Sequence, residues 1–226
     1  TGDSSAYTGS TVLNAGTLAL NTGAALGGKL TVASGASLSG GGAVGSLTLA
    51  GGSIVAPGSA GASGHAYGTL TVNGDLTFQA GSSYQVHADP GSSASDRIAV
   101  TGTVSLAGGV LHVGPEAGFD AARTYTILTA NAVNGTFNTV SSNYAYLNPS
   151  LSYGDQQVQL QLERKQTTPN KPIAFADAAT TSNQRAVANA LDSLPSGNAL
   201  HKYILTLPEG MPPDVFNSLS GEAHAS

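Results

Sequence analysis

The stretch GTLTVNGDLTF, residues 68–78, indicates the fold of this chain most clearly, because it contains two copies of one five-residue phrase. In each copy apolar residues alternate with polar ones, which is typical of a β-strand with one face turned towards a core. A glycine begins each copy and marks a corner between strands. Related phrases recur between residues 11 and 113: GTLAL (16–20), GKLTV (28–32), GSLTL (45–49), DRIAV (96–100), GTVSL (102–106) and GVLHV (109–113).

Strand repeats of this kind bury their inner face only by stacking on one another. A recurrence of roughly twenty residues, over about five turns, is the spacing of a parallel solenoid. The predicted fold class is therefore all-β: a right-handed parallel β-helix (β-solenoid) stem over residues 1–113, then a C-terminal β cap and a short α-helical linker. The alternative is a β-sandwich, whose hairpins favour Asn-Gly turns such as Asn73-Gly74 and Asn134-Gly135.

The composition excludes several classes of function. Charged residues make up 9% of the chain, and the formal net charge is −5 at pH 7. Nucleic acid is excluded as a partner, because the chain lacks the basic patch that such binding requires. The chain has no cysteine, which rules out disulfides and thiolate chemistry. It opens in the middle of a repeat pattern, so we expect it to be a piece of a longer protein.

Residues 114–164 are predicted to form a cap on the last turn of the solenoid, since aromatic residues accumulate there. A terminal turn exposes unpaired backbone and apolar core, and a covering unit hides both. In QQVQLQLER (156–164) apolar residues alternate with glutamines, which are expected to lie outside. The residues predicted for the cap core are Tyr125, Ile127, Phe137, Tyr144, Tyr153, Val158 and Leu160, and Leu162 is expected to face the same core.

The last part of the chain, residues 165–226, is predicted to be a linker followed by amphipathic helices. KQTTPNKP (165–172) has the composition of a linker, and Ser182 is the expected N-cap of the first helix. We expect these helices to pack on a partner outside this chain, or to fold back onto the apolar edge of the cap. Their predicted apolar face consists of Val187, Leu191, Leu194, Leu200, Ile204, Leu207, Phe216 and Leu219.

No catalytic, cofactor or metal site is predicted. GGGAVG (40–45) fits a dinucleotide-binding motif, but a strand rather than a helix follows it. Asp75 and Asp96 each precede a strand about one turn apart, so they could stack like the carboxylate pair of a glycan-cleaving enzyme. Ordinary turn aspartates are the preferred interpretation. His87 and Asp89 share a strand face, but the spacing of the histidines indicates no third metal ligand.

Three stretches resemble the C-terminal passenger region of bacterial autotransporters, the type V secretion proteins that pass a β-helical passenger through their own outer-membrane β-barrel. YTGSTVLNAGTLALN (7–21) and GTLTVNGDLTF resemble the repeats of the passenger. SSASDRIAVTGTVSLAGGVLHV (92–113) with YTILTANAVNGTF (125–137) resembles the region that ends it. NQRAVANALDSL (183–194) through FNSLSGEAHAS (216–226) resembles the helical linker that enters the barrel.

This resemblance implies a non-catalytic secretion and folding module that needs no cofactor. The capped segment would be an autochaperone, which folds first outside the cell and templates the other turns. The implied partners are the chain's own C-terminal β-barrel and an upstream passenger domain, in the outer membrane, at the cell surface or in the medium. Glu222 and His224 would be structural residues at the barrel entrance. Asn183 and Asn189 are not adjacent, so self-cleavage at an asparagine pair is not expected.

Two alternatives stay open at this point. An adhesin would contact host or sibling cells, or copies of itself, through the Ser/Thr-rich wall or the loop PGSAGASGHAYG (57–68). A glycan-active β-helix enzyme would use Asp75 and Asp96. The nature of the upstream passenger, whether protease, esterase or adhesin, does not follow from these residues.

Overall fold

The computed structural model describes residues 2–61, 64–89, 92–114, 123–169 and 171–221. Strands dominate these residues, and the helices lie in the C-terminal part. The strands are β1 (Asp3–Ser4), β2 (Ser10–Leu13), β3 (Gly16–Ala19), β4 (Ala25–Val32), β5 (Ala36–Ser39), β6 (Ala43–Leu49), β7 (Ile54–Ala56), β8 (Ser59–Gly61), β9 (Gly64–Ala66), β10 (Thr69–Val72), β11 (Leu76–Phe78), β12 (Ser83–Val86), β13 (Arg97–Val100), β14 (Thr103–Leu106), β15 (Gly109–His112), β16 (Thr124–Thr129), β17 (Ala132–Gly135), β18 (Thr139–Ser142), β19 (Leu147–Gly154), β20 (Gln157–Arg164), β21 (Gln166–Thr168) and β22 (Lys171–Pro172). The helices are a 3₁₀ helix (Phe175–Ala178), α1 (Ser182–Asp192), α2 (Ala199–Leu205) and α3 (Pro212–Ser220).

Within the described residues, strands from successive turns pair in parallel and form three stacks. The first stack contains β1, β4, β6, β10, β13 and β16; the second contains β2, β4, β6, β11, β14 and β17; the third contains β3, β5, β7, β12, β15 and β18. The prediction of a mostly β chain with parallel strands is confirmed. The β-sandwich alternative is wrong, because that fold requires antiparallel sheets.

The length of a turn differs from the predicted twenty residues or so. Leu30 pairs with Leu47, about 17 residues on, whereas Leu47 pairs with Leu76 about 29 residues on. The later turns are longer because the chain makes excursions between the third stack and the first. Two of these excursions contain antiparallel pairing of their own: the 57–68 excursion contains the pair β8–β9, and in the 87–96 excursion Ala88 pairs with Ser95.

The core lies between the stacks and is built from ladders of apolar side chains in register. In the second stack the ladder runs through Leu30, Leu47, Leu76 and Val104, all of which are buried. Each rung covers the apolar face of the rung before it, so no single turn has a complete core. Truncating one of these leucines to alanine is expected to cost about 2–5 kcal/mol, because the rigid stack cannot close around the cavity.

The C-terminal end of the first stack changes from parallel to antiparallel pairing. Strand β20 lies antiparallel to β16, and β19 lies antiparallel to β20. The segment predicted as a linker, residues 165–172, differs from the expectation because β21 and β22 form a short antiparallel pair. The predicted N-cap is also displaced by one residue. Thr181, not Ser182, caps α1, and its hydroxyl accepts the N–H of Gln184 at 3.2 Å.

None of the helices in the described part of the chain combines the length and the apolar character that crossing a membrane would require.

Candidate functional site

The two excursions bring together three polar side chains that are distant in sequence. His65 comes from β9, His87 follows β12, and Asp96 precedes β13. The 87–96 excursion doubles back on itself, since the N–H of Asp96 donates to the carbonyl of His87 at 2.8 Å. The next turn is then held against the first, because the N–H of Arg97 donates to the carbonyl of Gly68 at 2.9 Å. We call His65, His87 and Asp96 the histidine–aspartate cluster.

Both imidazole rings of the histidine–aspartate cluster contact the same carboxylate. Oδ2 of Asp96 lies 2.9 Å from Nε2 of His65 and 2.9 Å from Nδ1 of His87. Two backbone groups also donate to this carboxylate: the N–H of Gly68 to Oδ1 at 3.0 Å and the N–H of His87 to Oδ2 at 3.1 Å. The rings stack with their centroids 3.6 Å apart and their planes 17° from parallel.

The carboxylate of Asp96 is fully buried, while each histidine side chain keeps a small exposed edge. Burial alone would raise the pKa of Asp96. The hydrogen bonds from His87, His65 and the Gly68 N–H outweigh that effect and hold the pKa below its ordinary value. Asp96 is therefore ionised at neutral pH and is a negative charge inside the protein.

Two neighbouring residues shape the histidine–aspartate cluster. A Cβ atom on Gly58 would collide with Nε2 of His65 and Oδ1 of Asp96, so only glycine permits this close approach. The ring of Tyr67 lies edge-on to His65, with centroids 5.3 Å apart. Tyr67 also lines an open groove of about 470 Å³ together with Ser95 and Arg97, so the cluster lies beside a surface depression.

The carboxylate pair considered for a glycan-cleaving enzyme is not formed. Asp96 belongs to the histidine–aspartate cluster in front of the first stack, whereas Asp75 is exposed at the start of the second stack. Oδ1 of Asp75 accepts the N–H of Thr103 from the next turn at 2.8 Å, which is the role of a turn aspartate. Asp96 precedes a strand of the first stack and Asp75 precedes a strand of the second, so the two carboxylates do not form the stacked pair that such an enzyme would require.

The sequence indicates that His87 and Asp89 share a strand face, but it does not indicate that Asp96 and His65 contact the His87 ring, as they do in the structure. The register between turns brings these residues together, since Thr69 pairs with Arg97 and thereby places Gly68 beside Asp96. The predicted turn length of about twenty residues does not give this register, because it places the 57–68 and 87–96 excursions on different parts of the stem wall.

Six of the seven residues proposed as the cap core are buried at the C-terminal end of the stacks: Tyr125, Ile127, Phe137, Tyr144, Val158 and Leu160. Leu162 is buried with them. Tyr153 is the correction, because 38% of its surface is exposed. It lies in the edge strand β19 near the hairpin turn, and its hydroxyl accepts the N–H of Phe137 at 3.0 Å.

The predicted apolar face of the helices divides into three groups. Leu191, Ile204, Leu207 and Phe216 are buried within this chain, and Val187 and Leu194 are half-buried and packed against its core. Leu200 and Leu219 are exposed. The helices therefore fold back onto the β end, which is the second of the two expected arrangements, and of the predicted apolar face they leave Leu200 and Leu219 exposed.

Ionic contacts hold the helices in this position. The guanidinium of Arg164 in β20 donates to Asp192 of α1 at 2.6 Å and lies 4.6 Å from the centroid of the Phe175 ring. The hydroxyl of Tyr146 donates to the carbonyl of Phe175 at 3.0 Å, and the two rings pack edge to face.

Glu222 and His224, proposed as residues of a barrel entrance, lie outside the described residues.

No protein-family model matches this chain, and no curated protein matches it either.

Proposed function

We propose that this chain is a non-catalytic secretion and folding module of the autotransporter passenger class. In this proposal the three parallel stacks form a right-handed β-helix, and the C-terminal end is the nucleus from which the β-helix folds. The module acts at the outer membrane, the cell surface or in the medium, and it needs no cofactor.

The order of the stacks supports the β-helical part of the proposal. The chain contributes to the first, second and third stack in turn, and it repeats this order from β1 to β18. Paired residues such as Leu47 and Leu76 keep the same face inward from one turn to the next. Coiling the chain around one continuous core is the simplest path that meets both conditions.

The observation that carries the folding role is the closed C-terminal end. There the antiparallel strands β19 and β20 cover the edge of β16, which would otherwise expose the backbone groups along it. Aromatic side chains fill the space beneath them: Phe137 packs edge-on to Phe78 at 5.1 Å, and Tyr84 donates to the carbonyl of Ile127 at 2.7 Å. A hairpin is a local contact, so it forms early and offers a finished surface for the next turn.

The proposed partner of the C-terminal end is an outer-membrane β-barrel of the same polypeptide. Leu200 and Leu219 are the predicted apolar-face residues that the chain leaves exposed. In the proposal they contact the wall of the barrel during export, while the buried residues hold the helices on the cap.

The test is an export assay with two matched double variants. The chain is joined to an outer-membrane β-barrel and produced in a Gram-negative bacterium, and the fraction at the cell surface is measured by added protease. Tyr125→Ala with Phe137→Ala damages the proposed nucleus, whereas Leu38→Ala with Val55→Ala damages a paired position of the third stack. Urea unfolding of the purified chains checks that the two pairs lose similar stability.

We expect the nucleus pair to lower surface exposure several-fold and to slow refolding, because its contacts form before the rate-limiting step. The stem pair is expected to be exported and mainly to unfold faster. Equal export of the two variants at equal loss of stability would refute the folding role.

A further inference from the structure

We propose that the histidine–aspartate cluster binds one divalent transition-metal ion of the zinc type and staples the 57–68 excursion to the 87–96 excursion. This site is independent of the proposed secretion role, since it lies on the stem and not at the closed end.

The donor set favours such an ion. His65, His87 and Asp96 offer two imidazole nitrogens and a carboxylate oxygen, and these three atoms lie within 4.8 Å of one another. Imidazole nitrogen with carboxylate oxygen suits zinc and its neighbours in the first transition row, whereas calcium and magnesium prefer oxygen alone. Two histidines and one carboxylate also leave a fourth position open for water.

The distances from the two ring nitrogens to the Asp96 carboxylate need little adjustment. Ligand atoms that bind zinc tetrahedrally at about 2.0–2.1 Å are about 3.3 Å apart. Both ring nitrogens now lie 2.9 Å from Oδ2 of Asp96, so each distance must increase by a few tenths of an ångström. The hydrogen bonds between Asp96 and the two rings are lost when the ion binds, and bonds from the ion to His65, His87 and Asp96 replace them.

One ring must turn when the ion binds. A metal ion lies close to the plane of each imidazole that binds it, and two rings stacked 3.6 Å apart cannot both meet that condition. His65 is the ring that turns, because it is on the short antiparallel pair β8–β9. His87 is fixed by the hydrogen bond from its own backbone N–H to Asp96.

Backbone groups already hold the carboxylate in one orientation, as the ligands of metal sites are held. The N–H groups of Gly68 and His87 hold the two oxygens of Asp96, so the carboxylate is oriented before any ion arrives. The charge is also suitable, because the fully buried carboxylate of Asp96 supplies the negative charge that a divalent cation requires.

The first measurement is calorimetric titration of the full chain with Zn²⁺, using protein that carries no polyhistidine tag. We expect one saturable site per chain and a higher unfolding temperature with Zn²⁺, because an ion that binds only the folded state stabilises it. Titration with Co²⁺ adds a readout of geometry, since four-coordinate Co²⁺ absorbs visible light far more strongly than the hexaaqua ion. NMR of the His65 ring protons is expected to show loss of the ring-current shift from His87.

The variants assign the site. His65→Gln and His87→Gln are each expected to abolish saturable binding, and Gly58→Ala to weaken it about 10–100-fold by displacing the ligands. His201→Gln is the matched control, because His201 is buried against Phe175 in the helical part and should leave binding unchanged. Urea unfolding of His65→Gln and His87→Gln without Zn²⁺ checks that a loss of binding is not a loss of folding.

Two results would overturn the proposal. The first is a chain that shows no saturable one-to-one binding of Zn²⁺ or Co²⁺, in which case the cluster is a hydrogen-bonded clamp only. The second is binding that survives in both His65→Gln and His87→Gln, in which case the ion lies elsewhere.

Discussion

The first turn of the stacks and their C-terminal end are built from different residues and are covered to different degrees. In the first turn Val12 is 56% exposed and Tyr7 is 45% exposed. At the other end Tyr144, Tyr146 and Phe175 are buried beneath an antiparallel hairpin and three helices. A stack of repeats gains its stability from contacts between neighbouring turns, so exposed side chains such as Tyr7 and Val12 contribute less to it than the buried aromatic residues of the C-terminal end.

The stem and the closed end are therefore stabilised by different kinds of side-chain contact. The stem depends on many equivalent rungs of mainly aliphatic side chains, so the loss of one side chain leaves the other rungs intact. The closed end depends on a few large side chains with hydrogen-bonded hydroxyls, so damage there is concentrated. Three predictions test this difference.

The largest expected effect comes from a matched pair of tyrosines, one at each end. Tyr146→Ala removes a fully buried ring and its hydrogen bond to Phe175, which should cost about 3–5 kcal/mol. Tyr7→Ala removes a ring that is nearly half exposed and should cost less than about 1 kcal/mol. Urea unfolding followed by circular dichroism measures both. Losses of similar size would show that the two ends do not differ in the way described.

The second prediction concerns acid, and it depends on His112 beneath the closed end. Burial, with a smaller contribution from His87, lowers the pKa of His112 to about 3. His112 therefore takes up a proton near pH 6.5 in the unfolded chain but stays neutral in the folded chain until about pH 3. Because only the unfolded state binds this proton, the free energy of unfolding decreases as the pH falls from about 6.5 towards 3. His112 packs on Tyr144 at 5.3 Å, so protonation places a charge against the aromatic cluster.

His112→Phe keeps a ring in this space and removes the titration. Between pH 7 and pH 4.5 we expect the variant to lose about 2 kcal/mol less than the parent chain. Asp96 does not contribute over this interval, because its pKa is below the ordinary value and its stabilising effect is lost only in stronger acid. The burial of His201 lowers its pKa too, but this effect is the same in both chains and cancels. Identical pH profiles would contradict the assignment to His112.

The strands and the inner faces could be predicted from the sequence, because each phrase such as GTLTV has its own alternation of apolar and polar residues. The cap core was predictable for the same reason wherever the alternation is strict, as in Val158, Leu160 and Leu162. Tyr153 was not, since an aromatic residue in an edge strand follows the same pattern as one in the core. Its exposure depends on what lies across the edge, which no local pattern contains.

The candidate site could not be predicted because it depends on the register between turns. His65, His87 and Asp96 are unremarkable in sequence, and they meet only because two excursions project from the same corner. The fold-back of the helices is similar. The amphipathic pattern of Leu191 and Ile204 predicts a covered face, but the same pattern suits a partner protein and the chain's own β end equally well.

The smallest expected effect tests whether the helices belong to the closed end. Asp192→Asn removes the charge that Arg164 contacts and weakens the hydrogen bond to the Phe175 N–H, which should cost about 1 kcal/mol because the pair is partly screened by water. Glu209→Gln is the matched control. Glu209 is 69% exposed, so its contact with Lys165 should contribute less than about 0.5 kcal/mol.

Amide hydrogen exchange separates the two possible responses to Asp192→Asn. If the helices and the hairpin open as one unit, exchange in α1 and in β20 accelerates by the same factor, because both report a single opening equilibrium. If the helices open alone, only α1 accelerates while β20 keeps its protection. The first result would mean that the closed end includes the helices, and that the aromatic contacts of Tyr146 and Phe175 transmit the loss of one ion pair to the hairpin. The second would restrict the closed end to β16, β19 and β20 and would leave the helices as a separate cover, held mainly by Arg164.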